Sequence, residues 1–239
     1  MAGWKGGCGK STFARLLAAW LQAQGFRVLG LDANPPFFTF ARWYAKRHEL
    51  DPLLIESFME TRKPGVLHVE ATPDPIHYEL GELWDYVIVD LPGYMSPLTR
   101  DVLLVCDTVV LPFGLSDDDL DTREIMFSEV VAAEQTRLSQ PRGCPLTALV
   151  LMNSVPPGKC YQRDIRDMAA TFPDWASPNG GRLVRGFQML KSQLSWARDW
   201  KKSRSVGLIP SELNPAGRAA AELRCLAQEV RGCDAAAIT

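Results

Sequence analysis

Two lysines and three glycines stand close together in the stretch KGGCGKST, residues 5–12. Glycines allow backbone N–H groups to wrap around an anion, and the N-terminus of a following helix adds positive potential. In the phosphate-loop pattern G-x-x-x-x-G-K-[ST], Lys10 reaches the β- and γ-phosphates and the Ser11 hydroxyl ligates Mg²⁺. The strict pattern needs glycine at position 4, where Trp4 stands, so this loop is a variant. The predicted nucleotide-binding residues are Gly6, Gly7, Cys8, Gly9, Lys10, Ser11 and Thr12.

The rest of the chain alternates between helical and strand patterns. Helices are predicted at 11–25, 41–50, 52–63, 97–106 and 118–140, and then over Tyr161–Thr171, Leu183–Lys202 and Pro215–Arg231. Strands are predicted at 26–33, 65–72, 84–93, 107–115 and 145–155. Such alternation predicts an α/β fold of the P-loop NTPase type, a mostly parallel twisted sheet flanked by helices on both faces. We expect one domain over residues 1–239.

Several predicted strands end in residues that suit a ligand site. In parallel sheets, ligands bind outside the carboxyl ends of the strands. The residues at such ends are Asp32, Asp90, Pro112 and Asn153.

The composition is typical of a globular protein. Hydrophobic residues make up 46% of the chain, enough for a sizeable core, and the six cysteines form no C-x-x-C pair. With no signal peptide and no twenty-residue apolar run, we expect a soluble cytoplasmic protein. The formal net charge is −2, yet residues 159–231 hold 13 basic and 7 acidic residues. This basic third suits an anionic partner, although solvated helix faces would give the same balance.

With Cys8 as the variable position, the loop fits K-G-G-x-G-K-[ST] and resembles the deviant Walker A loop of the ParA/MinD superfamily. The resemblance implies ATP and Mg²⁺ as cofactors. It also implies that Lys5 crosses the interface of an ATP-bound homodimer to the partner subunit's nucleotide, where a second cation would stabilise the transferring phosphoryl group. An exposed lysine at the mouth of a loop is the alternative. The implied catalytic residues are Lys5, Lys10 and Asp32.

Further segments carry the same resemblance over about residues 5–155, namely LGLDANPP, YVIVDLPG, CDTVVLPFGLSDDDLDT and LVLMNSV. By this likeness Asp90 holds Mg²⁺ through water together with Ser11, and Asn153 contacts the adenine. The stretches LDANPPFFTFARWYAKR and VPPGK are similar to VirC-type ATPases of T-DNA transfer and to plasmid ParA-like proteins.

The family implies an ATP-dependent dimerising switch with weak ATPase activity that partitions, positions or delivers DNA. A ParB-like or relaxosome-type partner would go with that function, as would an association with the nucleoid. Basic residues in predicted helical segments fall where several ParA proteins bind DNA non-specifically. They are Arg182, Arg185, Lys191, Arg198, Lys201, Lys202 and Arg204.

Two departures from the family pattern bear on function. Asn34 stands where relatives have a second acid, and an amide cannot accept a proton as a carboxylate does. Hydrolysis would then be slow, or Asp32 would act alone, or Asn34 is a structural choice in a turn. The second departure is that only residues 1–4 precede Lys5, too few for a usual strand. We expect that a first strand is missing, the alternative being a genuine short start.

Other functions fit the sequence less well. Iron–sulfur carriers of the superfamily need bridging cysteines, and the segment DLPGYMSP contains none. A bacterial tyrosine kinase would need a tyrosine-rich tail, and no tyrosine follows Tyr161. The last helix lacks a Lys-rich polar face, so no membrane partner is expected. A non-hydrolysing nucleotide-binding scaffold stays open as an alternative.

Overall fold

The computed structural model describes residues 7–34, 38–50, 83–114, 123–140, 144–156, 158–175, 187–195 and 198–237. In chain order these hold α1 (Lys10–Ala23), β1 (Val28–Asp32), α2 (Thr39–Leu50), β2 (Tyr86–Asp90), α3 (Pro97–Val105), β3 (Thr108–Phe113), α4 (Arg123–Leu138), β4 (Thr147–Val155), α5 (Lys159–Trp175), β5 (Phe187–Ser195), α6 (Arg198–Val206), α7 (Pro210–Leu213) and α8 (Arg218–Ala237). The predicted helix at 52–63 and strand at 65–72 lie outside the described residues, as do residues 1–6.

The strands pair in parallel in two groups, flanked by helices. Strands β1 and β2 form one pair, and β3, β4 and β5 form a three-stranded sheet in that order. This confirms the predicted α/β fold with a parallel arrangement of strands. The chain clusters into two compact units, the first from Lys10–Pro92 and Ala197–Ala227 and the second mainly from Gly93–Trp196. The expectation of one domain over residues 1–239 stays a prediction.

Helix α1 follows the phosphate loop directly and packs through the residues expected from its helical spacing. Phe13, Leu16 and Leu21 are almost fully buried. Burying a leucine or phenylalanine side chain contributes roughly 1.5–3 kcal/mol, so this face anchors the helix firmly. The helix ends at Ala23, two residues before the predicted end, and Gly25 follows with φ +88° and donates its N–H to the Gln22 carbonyl over 2.9 Å. The buried face holds α1 in place behind the phosphate loop.

The β1–β2 pair brings two acids side by side. The register aligns Val28 with Tyr86 at one end and Asp32 with Asp90 at the other. The Ala33 N–H continues the ladder by donating to the Asp90 carbonyl over 2.9 Å. Because neighbouring strands lie roughly 4.8 Å apart, the two carboxylates are forced into one small region at the carboxyl ends of the strands.

The expected helix over Leu183–Lys202 is wrong for its central part, because residues 187–195 form strand β5 beside β4. Leu190 and Leu194 are buried, and their spacing of four imitates a helical face. Residues four apart also share a face of a strand, because successive side chains alternate between the two faces, so this spacing fits both elements. Val150 pairs with Met189 and Met152 with Gln193, which places a bulge in β5.

In the first unit, α2 holds α6 and the turn that follows it. The Trp43 indole N–H donates to the Ser203 carbonyl over 3.1 Å. Arg47 donates to the Gly207 carbonyl over 3.3 Å and makes a bidentate ion pair with Glu212 at 2.8 and 2.7 Å. Gly207 has φ +75°, and a Cβ there would lie 2.6 Å from the Arg47 backbone nitrogen. Only glycine allows this close an approach without a shift of the backbone.

Helix α8 closes the described chain. Leu223, Leu226 and Val230 are buried and form the core face of this helix. Among the described residues, no helix combines the length and the apolar character needed to span a bilayer.

Candidate nucleotide and magnesium site

The end of the phosphate loop has an open, left-handed backbone. Gly7 and Gly9 have φ values of +93° and +98°. Among the described residues, a Cβ at Gly7 would meet nothing within 4 Å. Lys10 comes next as the first residue of α1 and is 5% exposed. Backbone N–H groups of such a loop, followed by a helix N-terminus, suit a bound phosphate.

Asp90 is the carboxylate that fits a metal site. Its side chain is fully buried, and neither oxygen has a hydrogen bond of normal geometry. The pKa of Asp90 is raised to about 6, mainly by burial and also by Asp32, although the nearby Ser11 hydroxyl and Lys10 act to lower it. A buried carboxylate without partners is costly unless a cation or a metal-bound water satisfies it. Ser11 and Asp90, the predicted Mg²⁺ residues, are thus brought together and fit that ion.

Asp32 is engaged differently from its neighbour. Its carboxylate accepts the N–H groups of Asn34, Phe40 and Ala41 over 3.1, 2.9 and 3.0 Å. The last two belong to the first turn of α2, so Asp32 caps this helix. Phe38, just before the helix, has φ +42°, an unusual conformation for a bulky side chain. Asp32 therefore holds both the backbone of Asn34 and the first turn of α2.

Asn153 lies against the phosphate loop. Its side-chain Nδ2 donates to the Cys8 carbonyl over 2.7 Å. A Cβ at Gly9 would lie 2.2 Å from the same nitrogen, so no larger residue fits there without a shift of the amide. Sequence reasoning placed Asn153 at the site but assigned it to the adenine and missed its contact with the loop.

Two buried arginines escaped the sequence reasoning. Arg15 is 2% exposed, its Nη2 donates to the Thr12 hydroxyl over 3.3 Å, and its guanidinium lies 5.8 Å from the centre of the Trp43 ring. Burial and, to a smaller extent, the charge of Arg204 lower the pKa of Arg15 to about 10. Arg47 lies at the same 5.8 Å distance from the ring. No local pattern marks a charged residue as buried, so only a complete packing model would have found this arrangement.

The predicted DNA-binding residues divide between different elements. Arg198, Lys201, Lys202 and Arg204 are exposed on α6. Lys191 is exposed on strand β5, not on a helix, and its backbone N–H donates to Glu229 over 2.7 Å. Strand pairing with β4 overrides the helical pattern at this position, as described above. Lys5, Gly6, Arg182 and Arg185 lie outside the described residues.

Comparison with known proteins shows the family and the fold that the chain shares. The family model for ATPase MipZ matches residues 1–140. Protein VirC1 of Rhizobium rhizogenes is 31% identical over 181 residues, 73% of this chain and 72% of that protein. The ATP complex of a McdA variant from Cyanothece has a TM-score of 0.67 at 17% identity, covering 97% of this chain and 94% of that one. MinD from Pyrococcus horikoshii OT3, complexed with Mg-ADP, has a TM-score of 0.60 at 18% identity, covering 96% and 93%. At 17% and 18% identity, these two structures show that the fold is shared and nothing more.

Proposed function

Because the chain belongs to the MipZ family of ATPases, within the ParA/MinD superfamily, we propose that it is an ATP-dependent dimerising switch that partitions, positions or delivers DNA. The observation that carries this proposal is the fully buried carboxylate of Asp90 beside the Ser11 hydroxyl and Lys10 at the start of α1. ATP and Mg²⁺ are the cofactors that suit such a site. We place the protein in the cytoplasm, with association with the nucleoid as part of the proposal.

Each residue of the site would contact a different part of a bound triphosphate and its Mg²⁺ ion. Lys10 would lie along the β- and γ-phosphates, and the loop N–H groups would orient them. Ser11 would hold Mg²⁺ directly and Asp90 through water. When bound, Mg²⁺ supplies neutralisation of charge on the phosphate oxygens. Lys5 would add a second positive charge from the partner subunit, which makes the dimer the competent form.

We expect the protein to hydrolyse ATP slowly. Asp32 already accepts three backbone N–H groups, which occupy most of the acceptor positions with which its carboxylate could hold an attacking water. Asn34 offers an amide in place of the second acid. A switch of this kind needs only occasional turnover, because the bound nucleotide and not the rate of chemistry sets its state.

Replacement of Lys5 by alanine should abolish the ATP-dependent dimer. Light scattering after size-exclusion chromatography, with Mg²⁺ and ATP, should give a dimer for the unchanged chain and a monomer for Lys5→Ala. The control is Lys46→Ala, which removes an exposed lysine of α2 and should leave the dimer intact. A monomer of the unchanged chain with ATP bound would contradict the dimerising switch.

Charge reversal on α6 should weaken binding to DNA. The double variant Lys201→Glu, Lys202→Glu is expected to bind non-specific duplex DNA at least about tenfold more weakly, and the slope of log K against log salt should fall by about 2. Fluorescence anisotropy over a salt series measures both quantities. The matched control is Arg163→Glu, Arg166→Glu on α5, where both residues are exposed. Equal losses in the two variants would argue against α6 as the DNA-binding element.

A second candidate, a nucleotide-binding scaffold without hydrolysis, is favoured by Asn34 and by the engagement of Asp32. It predicts normal binding of Mg²⁺-ATP without release of phosphate. A phosphate-release assay on the unchanged chain, with Lys10→Ala as background, separates the two functions. Release above that background would exclude the scaffold.

A further inference from the structure

The bond between Asn153 and the phosphate loop has a consequence for how the loop works. We propose that Asn153 is a positioning residue, which orients the peptide between Cys8 and Gly9 so that the loop is ready for phosphate before any nucleotide binds. The inference rests on the proposed nucleotide-binding function and assigns this asparagine to the phosphates, not to the base.

The first argument is the geometry of the peptide plane. In a trans peptide the C=O and the following N–H point in opposite directions. Asn153 Nδ2 holds the Cys8 carbonyl at 2.7 Å, so the Gly9 N–H is turned away from Asn153. A peptide next to glycine rotates readily, because glycine accepts left-handed and right-handed backbone conformations alike. The side-chain amide selects one orientation and thereby sets the direction of one N–H donor of the loop.

The second argument is steric. The site of a Cβ on Gly9 is only 2.2 Å from Asn153 Nδ2 and 3.0 Å from its Cγ. The amide therefore fills the space behind the loop, and the loop cannot relax toward the strand end. Contact with both the carbonyl and the glycine restrains the loop at two successive residues.

The third argument is the backbone that presents the amide. Ser154, the next residue, has φ +56°, an unfavourable conformation for serine. The β4–β5 register also shifts between Val150 and Met152 and again between Met152 and Val155. Bulges and left-handed residues at strand ends commonly re-aim a side chain, and such strain persists where function needs it. Here the irregularity coincides with the residue that contacts the loop.

Asn153→Leu tests the proposal, because it keeps the size of the side chain, removes the donor and adds no charge. In the nucleotide-free protein, hydrogen exchange of the amides at residues 7–11 should accelerate at least about tenfold. Ser154→Ala is the control at the neighbouring position and should leave this exchange unchanged. Unaltered exchange in Asn153→Leu would overturn the proposal. Because the measurement uses the nucleotide-free protein, it tests the role of Asn153 even if the unchanged chain binds no nucleotide.

Ligand selectivity gives an independent answer. A positioning role predicts that the dissociation constants for ATP, GTP and inorganic tripolyphosphate, each with Mg²⁺, rise by the same factor of about 10 or more. Tripolyphosphate has no base, so a role in reading adenine predicts a loss for ATP alone and would contradict our inference. Failure of the unchanged chain to bind any of the three would reject the proposed function instead, which separates the two failures.

Discussion

Asp90→Asn is expected to abolish Mg²⁺-dependent ATP turnover while stabilising the nucleotide-free protein at neutral pH. The carboxylate is fully buried, and the Ser11 hydroxyl and Lys10 offset only part of the cost of that burial, so its charge is poorly solvated in the fold. Burial raises its pKa from 3.8 to about 6, and a difference of that size corresponds to about 3 kcal/mol. A neutral amide removes this cost, but it binds Mg²⁺ more weakly than a carboxylate. We expect turnover to fall at least about a hundredfold, as for the loss of a central electrostatic group.

The pH dependence of this effect has a definite sign. Because the pKa of Asp90 is higher in the folded state, its contribution to stability is fully present below the unfolded-state value of 3.8 and is lost as the pH rises through about 6. The stability gained by Asp90→Asn should therefore be small near pH 4 and largest above about pH 6. Urea unfolding of the nucleotide-free proteins at several pH values measures it.

The control for Asp90 is Asp164→Asn, a change of an exposed carboxylate on α5. This variant should change neither the turnover nor the pH dependence of unfolding. An Asp90→Asn protein that is less stable than the unchanged chain at pH 8, or that keeps its Mg²⁺-dependent turnover, would refute the assignment.

Arg47→Met should destabilise the first unit by about 2–3 kcal/mol. Arg47 is only 4% exposed, and its loss leaves Glu212 without its bidentate partner and the Gly207 carbonyl without a donor. Removing one member of a buried pair costs about 3–5 kcal/mol, and Glu212 at 31% exposure recovers part of this through hydration. Methionine keeps much of the apolar contact with the Trp43 ring. Urea unfolding with unchanged m-value gives the difference in free energy.

A matched arginine is available as control for Arg47. Arg100 makes a similar two-nitrogen contact with Glu129 at 3.2 and 3.1 Å, but its side chain is 59% exposed. Exposed pairs contribute about 0–1 kcal/mol, so Arg100→Met should be nearly neutral. Equal effects of the two changes would show that burial does not strengthen the pair. The double variant Arg47→Met, Glu212→Leu should recover part of the lost stability, because no charge is stranded.

The strand-end acids show what the sequence can predict. Asp32 and Asp90 each end an apolar strand, and ligands in parallel sheets bind at the carboxyl ends of the strands. The sequence alone therefore places both carboxylates at the ligand site. The β1–β2 register then aligns Asp32 with Asp90 as those rules require. The helical face of α1 followed equally from the spacing of its apolar residues. When the spacing of apolar residues and the rules of the fold class agree, the local sequence is enough to predict where a residue lies.

The features that escaped prediction depend on contacts between distant segments. The spacing of Leu190 and Leu194 fits a strand face as well as a helix face, and only the pairing with β4 makes the segment a strand. Asn153 reaches Cys8 across 145 positions of sequence. Arg15 and Arg47 look like solvated charges until the ring of Trp43 is placed between them. Local propensity carries no information on such partners.

The contacts of α2 also bear on how the chain folds as it is made. Trp43 and Arg47 bond to Ser203 and Gly207, each 160 positions further along the sequence. While the ribosome synthesises the intervening residues, the indole and the guanidinium of α2 have no partner from α6. Contacts of such long separation form slowly, and incomplete chains expose surface that aggregates. The first unit can therefore reach its native packing only after the last third of the chain has been translated.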